Sequence, residues 1–294
     1  CHLVGPKPSV GRISAGPGSP NRWGHSVPAV VTRTVRDTAA VLDAVAGPAE
    51  GDAASPRALP AGGVTGVLQP GRWSRLRIGV LDHAPANTPQ VTQEVRTAVR
   101  TVADLLAEQG HQVVESHPEA MMDGRVLDAF FDALSVTVVQ SVDALAAQIG
   151  APKPDDLDVV TEHWLRRGRA ITGIELADAF VWQSAFRSRM AQWWADGFDL
   201  LLSPVFATRP KPVGWPWREK DGIQMTVDVL AFTAPFNTTG QPAISVPATL
   251  TDDGVPLGVQ LAAAQGREDH LIAVAAELER LRPWRQLRPA VFAE

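Results

Sequence analysis

The most constraining feature of this 294-residue sequence is a pair of short apolar runs separated by a helical pattern. Residues 77–81 (Arg-Ile-Gly-Val-Leu) form the first run and residues 111–114 the second. Between them Val91, Val95, Val99, Val102 and Leu106 recur at helical spacing. A four- or five-residue apolar run reads as a buried strand, and apolar side chains every three to four residues read as one face of a helix. Strand, helix and strand make a βαβ unit, which predicts a parallel pair and a right-handed crossover. Thr88-Pro89 is expected to open the helix, because proline's fixed φ suits a first helical position, and Gly110 to end it.

Other elements gather around that unit. The first 28 residues are rich in Gly and Pro and read as loop with local extended pieces. Thr34 is placed to cap a helix whose apolar face is Val35, Ala39, Leu42 and Val45-Ala46. Asp37, three residues on, completes a capping-box pattern, and Gly47-Pro48 stops the helix. Residues 49–75 read as surface loop, and residues 119–195 as mostly helical, broken at Pro152 and Pro154. Leu176, Phe180, Trp182, Phe186, Met190 and Trp193 are expected in a core rather than on a ligand surface. Residues 199–202 read as a buried strand and residues 203–221 as a Pro/Trp loop. Residues 243–250 and 257–262 form two strands joined by a hairpin turn at Asp252-Asp253-Gly254, and residues 267–281 a final amphipathic helix. The predicted fold class is α/β, a mixed β-sheet flanked by helices on both faces.

Composition excludes several functions. The 27 Lys and Arg against 32 Asp and Glu give a net charge of −5 without a dense basic cluster, which argues against a nucleic-acid surface. The single cysteine, Cys1, excludes an internal disulfide. No uninterrupted apolar run approaches the ~18 residues of a membrane helix, and no signal-peptide pattern opens the chain. The expected setting is cytoplasmic, without membrane partners. There is no Gly-x-Gly-x-x-Gly, no P-loop, no His-Glu-x-x-His and no Gly-x-Ser-x-Gly, and the seven His have no metal-ligand spacing. No cofactor and no metal are expected.

Two blocks carry functional information. The first is Gly5-Pro6-Lys7-Pro8-Ser9-Val10-Gly11-Arg12, followed by Thr32-Arg33-Thr34-Val35-Arg36-Asp37-Thr38-Ala39. The second is Pro235-Phe236-Asn237-Thr238-Thr239-Gly240-Gln241-Pro242-Ala243-Ile244-Ser245-Val246-Pro247, and Asp199-Leu200-Leu201-Leu202-Ser203-Pro204 precedes it. In chemical terms the second is a polar turn between prolines feeding a buried strand, and such turns sit at strand ends where α/β folds place sites.

In this order the blocks resemble the amidase signature family, and the wording is most similar to general bacterial amidases, including those acting on nylon oligomers. The resemblance spans nearly the whole chain and is weak over residues 49–198. It implies that residues 1–294 are the C-terminal portion of a single amidase-signature domain whose N-terminal part is missing. It also implies hydrolysis of a small-molecule amide through a Ser–cis-Ser–Lys triad and an acyl-enzyme.

The chain itself has no Ser-Ser pair, its only Gly-Gly is Gly62-Gly63, and Lys7 belongs to the Lys-Pro motif. No catalytic residue is therefore assigned, the catalytic segment is expected upstream of Cys1, and the chain alone is expected to be inactive. The resemblance places Cys1, Phe236, Asn237, Thr238, Thr239 and Gly240 near the pocket, and Trp215 and Trp217 are candidates for its entrance. A homodimer is open. Two other readings stay open as well: a non-catalytic pseudoenzyme or partner of a separate N-terminal chain, and an unrelated α/β small-molecule-binding protein.

Overall fold

The computed structural model describes residues 2–16, 24–52, 56–69, 75–85, 88–153, 155–218 and 221–288. Cys1 lies outside them. The strands are β1 (Gly5–Lys7), β2 (Arg77–Val80), β3 (Gln112–Glu115), β4 (Leu200–Pro204), β5 (Ala243–Leu250) and β6 (Pro256–Ala263). The helices are α1 (Val35–Val45), α2 (Gln93–Glu108), α3 (Arg125–Ile149), α4 (Val159–Ala170), α5 (Gly173–Ala195), α6 (Trp215–Arg218), α7 (Gly222–Asp228), α8 (Ala234–Thr239) and α9 (Glu268–Leu281).

The strands form one sheet in the order β1-β5-β6-β4-β2-β3. The pairs β2–β3 and β2–β4 are parallel, and β1–β5, β5–β6 and β4–β6 are antiparallel. The sheet is therefore mixed, and the βαβ unit read from the sequence is its parallel β2–β3 pair. Helices α2 and α9 pack on the strands from one side. On the other side α5 comes so close that a Cβ at Gly79 would lie 2.4 Å from the Trp193 ring. Pro6 sits in the short edge strand β1, where the missing N–H costs no ladder bond to an inner neighbour.

Local chemistry accounts for the helix ends, with two departures from expectation. Thr34 caps α1 through Asp37 N at 3.1 Å, but the Asp37 carboxylate turns to Arg36. Aspartate is one methylene shorter than the glutamate a capping box uses, so only half the box forms. A complete box caps α5: Glu175 N donates to Thr172 Oγ1 at 3.2 Å, and Thr172 N donates to Glu175 Oε2 at 2.9 Å. Helix α2 starts at Gln93, not at Pro89. Thr88 Oγ1 donates back to the Pro85 carbonyl at 2.6 Å, so its side chain closes a loop turn instead of capping a helix.

By length and composition α3 is apolar enough to cross a membrane. A search for uninterrupted apolar runs misses it, because Asp128, Asp132 and Asp143 are spaced along it. Val126, Leu127, Phe130 and Phe131 are buried, and α3 packs on α4, α5 and α8. The final helix is more deeply enclosed than an amphipathic pattern implies, since residues 268–276 are all buried, Glu268, Asp269 and His270 among them.

Candidate functional site

The two motif blocks lie far apart in sequence and meet in space. Pro235 stands in the first turn of α8, where its lack of an N–H removes no helical bond. The helix ends at Gly240 in the left-handed conformation, φ +73°. The Gly240 carbonyl accepts from Val10 N at 3.0 Å. A Cβ at Gly240 would lie 2.9 Å from Val10 Cγ2, so this contact and the positive φ both select glycine.

The first block is held by a clamp that reaches α9. Ser9 N donates to Glu268 Oε1 and Arg12 Nη2 to Glu268 Oε2, each at 2.8 Å, and Gly266 N donates to Ser9 Oγ at 2.8 Å. Burial alone would raise the Glu268 carboxyl. The Arg12 guanidinium and the Ser9 N–H outweigh it and hold the group below its ordinary range. Lys7 lies beside this clamp and donates to the Pro8 carbonyl at 3.0 Å. Burial lowers its amine to about 8, against the opposing pull of Glu268.

The residues expected near the pocket divide into two groups. Phe236, Asn237, Thr238, Thr239 and Gly240 come together as α8 and its cap, and all but Asn237 are buried. Asn237 Nδ2 donates to the His25 carbonyl at 2.7 Å, tying the loop after Gly24 to α8. The Thr238 carbonyl accepts from Arg187 Nη2 at 3.2 Å, and Thr239 Oγ1 donates to Gln241 Oε1 at 3.0 Å. Thr239 and Gly240 line a cavity of about 640 Å³, together with Arg187, Gln241 and Trp194. Trp215 and Trp217 lie on α6, which packs with α4 and α7 and does not line this cavity. The Trp217 side chain instead serves Asp158, the N-cap of α4. Burial raises that carboxyl, but bonds from Thr161, Trp217 and the Val160 N–H bring it to about 2. Cys1 lies outside the described residues.

Sequence reading missed the partners contributed by α5 and by the loop after Gly24. Gln183 Nε2 donates to the Ala129 carbonyl at 2.7 Å, so its Oε1 faces His25 Nε2 at 2.9 Å. The imidazole therefore carries its proton on Nε2. Burial lowers the His25 pKa, and nearby Arg187 lowers it further against the Gln183 bond. A signal was available: Gln183 falls among Ala179, Phe186 and Met190 on the buried stripe of α5, and a buried amide needs partners.

A row of small and polar residues crosses the sheet toward the same region. Gly5 pairs with Ser245, Ser245 with Gln260, and Gln260 with Ser203. Gln260 Nε2 donates to Ser203 Oγ at 3.2 Å and to the Phe232 carbonyl at 2.9 Å, which fixes the chain entering α8. Among the described residues no group of three or more His, Cys, Asp or Glu is arranged to hold a metal ion.

Residues 1–272 match the family described as Amidase. The chain is 36% identical over 307 residues to the 6-aminohexanoate-cyclic-dimer hydrolase of Paenarthrobacter ureafaciens, covering 99% of this chain and 62% of that protein. It superposes on a structure of 6-aminohexanoate cyclic dimer hydrolase complexed with substrate with a TM-score of 0.90 at 34% identity, again covering 99% of this chain and 62% of the other. A bacterial aryl acylamidase shares the fold with a TM-score of 0.76 at 24% identity, covering 97% of this chain and 59% of that one. The chain belongs to the amidase signature family, which sets aside an unrelated α/β binding protein. It spans 62% of the length of that cyclic-dimer hydrolase.

Proposed function

We propose that this chain serves the hydrolysis of carbon–nitrogen bonds in small-molecule amides. It forms the wall of the site, and a Ser–cis-Ser–Lys set in a segment that these 294 residues do not include forms the reacting centre. In that chemistry a neutral lysine draws a proton through the bridging serine from the nucleophilic serine. That serine attacks the amide carbonyl, and water then releases the acid from the acyl-enzyme. The observation that carries the reading is the contact of Val10 with Gly240, which joins the two family blocks beside the cavity. The hydrolase likeness supports it, and an amide such as 6-aminohexanoate cyclic dimer is the first substrate to try.

On this reading the chain alone has no turnover. The test is hydrolysis of 6-aminohexanoate cyclic dimer and of a simple aryl amide, by the chain alone and by the chain joined to the coding segment upstream of Cys1. Turnover is expected only in the joined form and is abolished by a Ser→Ala change in the added segment. Turnover by the chain alone, or an upstream segment without a lysine and paired serines, sinks the reading.

A second reading is a non-catalytic partner of a separate N-terminal chain. One continuous apolar core running from Val4 to Trp284 favours it. It predicts that two separately made chains associate when mixed.

A further inference from the structure

The cavity beside Gly240 has an uneven charge. Among the described residues Arg187 is its one cationic lining residue and no carboxylate lines it. The exposed Arg187 side chain spends Nη2 on the Thr238 carbonyl at 3.2 Å and forms no ion pair with a described residue. Its remaining N–H groups are left to donate.

The rest of the wall also favours an acceptor. Thr239 Oγ1 donates to Gln241 Oε1, so the buried Gln241 turns its NH2 to other partners. Trp194 lines the cavity at 8% exposure with its indole nitrogen enclosed, so its indole resonance is a reporter beside the cavity and not a contact to a ligand. Gln265 Nε2 reaches the Val10 carbonyl at 3.4 Å, which leaves its Oε1 as a side-chain acceptor on the same wall. A fixed cation with neighbouring N–H donors and no competing carboxylate is a receptor for an anion, and a guanidinium suits a carboxylate in particular. The volume of about 640 Å³ is that of a small-molecule site.

We infer that Arg187, with the NH2 of Gln241, forms a carboxylate-binding subsite, which takes a substrate that bears a free carboxylate or, for a cyclic amide, the carboxylate that ring opening releases. The inference rests on the amide-hydrolase reading for the word substrate and on this cavity alone for the binding.

The test is equilibrium binding of hexanoate and of the isosteric, uncharged hexanamide to the 294-residue chain. It is followed by calorimetry and by the indole N–H resonance of Trp194, identified through Trp194→Phe. Hexanoate is expected to bind about tenfold more tightly than hexanamide and to shift the Trp194 resonance. Arg187→Met should abolish the preference without changing the thermal melt, and Arg187→Lys should weaken it. Equal binding of the two ligands, an unmoved Trp194 resonance, or a preference that survives Arg187→Met would each overturn the subsite. Binding needs no turnover, so an inactive chain leaves this result standing, and a failed subsite leaves the hydrolase reading standing.

Discussion

The Arg12 guanidinium meets the Glu268 carboxylate at 2.8 Å, with the two side chains 6% and 3% exposed. The pair joins the first block to the start of α9, and Arg12 Nη2 also reaches the Arg57 carbonyl at 2.7 Å. Removing one member strands the other as a buried charge, so Arg12→Met and Glu268→Gln are each expected to cost about 3–5 kcal/mol. The double variant Arg12→Met/Glu268→Gln should cost less than the sum. Urea titrations of the four proteins measure the coupling, and an additive cycle would mean that the pair does not act as a unit.

Glu268 also predicts an acid limb. Its folded carboxyl sits below the ordinary value of 4.5, so near that pH the fold binds fewer protons than the unfolded chain. The stabilisation is present above 4.5 and disappears as pH falls through the lowered folded value. Stability measured from pH 6 down to pH 3 should fall less steeply in Glu268→Gln than in the parent.

Lys7 works in the opposite sense. Its ordinary value of 10.5 falls to about 8 in the fold, so between these values the unfolded chain holds the extra proton. Stability should therefore rise as pH goes from about 8 toward 10.5 and gain nothing from Lys7 below that window. Lys7→Met should be more stable than the parent at pH 7 and should flatten the rise. Denaturant midpoints at pH 7, 8.5 and 10 check both, and an unchanged slope would show that the amine is not buried as the structure has it.

Gly240 carries two separable costs. Gly240→Ala meets a backbone at φ +73° and a Val10 methyl at 2.9 Å, and is expected to lose about 1–3 kcal/mol. Adding Val10→Ala should recover the steric part only. Full recovery in the double variant would show that the left-handed backbone contributes nothing.

These same residues show what the sequence discloses and where it stops. The β2–α2–β3 unit and the β5–β6 hairpin were legible because periodicity and turn residues are local signals, and their pairing follows. Strand β1 was hidden by its length of three residues and by Pro6 within it. Helices α6, α7 and α8 have four, seven and six residues, too short for an apolar period, and tertiary contacts hold them. In the site, the letters of both blocks were readable, but the bond from Val10 to Gly240 was not. No local pattern encodes a contact across 230 positions, and the same is true of Arg187 on α5.

Close packing of α3 on α4 yields a paired prediction. At Gly168 a Cβ would lie 2.3 Å from the Ser135 carbonyl oxygen, whereas at Gly173, the first residue of α5, it would meet nothing within 4 Å. Gly168→Ala must push two helix backbones apart and should cost about 1–3 kcal/mol. Gly173→Ala gains helix propensity and loses unfolded-state freedom, so it should stabilise by up to about 1 kcal/mol. Thermal melts of the two single variants should move in opposite directions, and a shift of the same sign in both would contradict the helix contact.

Asn237 links α8 to a loop that has few other ties to it. Its Nδ2 gives the His25 carbonyl a 2.7 Å bond, while the His25 ring is held by Gln183 and lies 5.2 Å from the Phe130 ring. Asn237→Asp removes the donor and sets a carboxylate against a carbonyl oxygen, which should cost about 1–3 kcal/mol. The loss should be local: α8 keeps its proline start and its Gly240 cap, while residues 24–28 lose their anchor on it. Hydrogen exchange should therefore quicken in residues 24–28 and change little in β5 and β6. On the proposed amide-hydrolase reading the same change should raise KM more than it lowers kcat, because the loop borders the cavity at Gly24. A fall in kcat at unchanged KM would instead place Asn237 at the reacting centre.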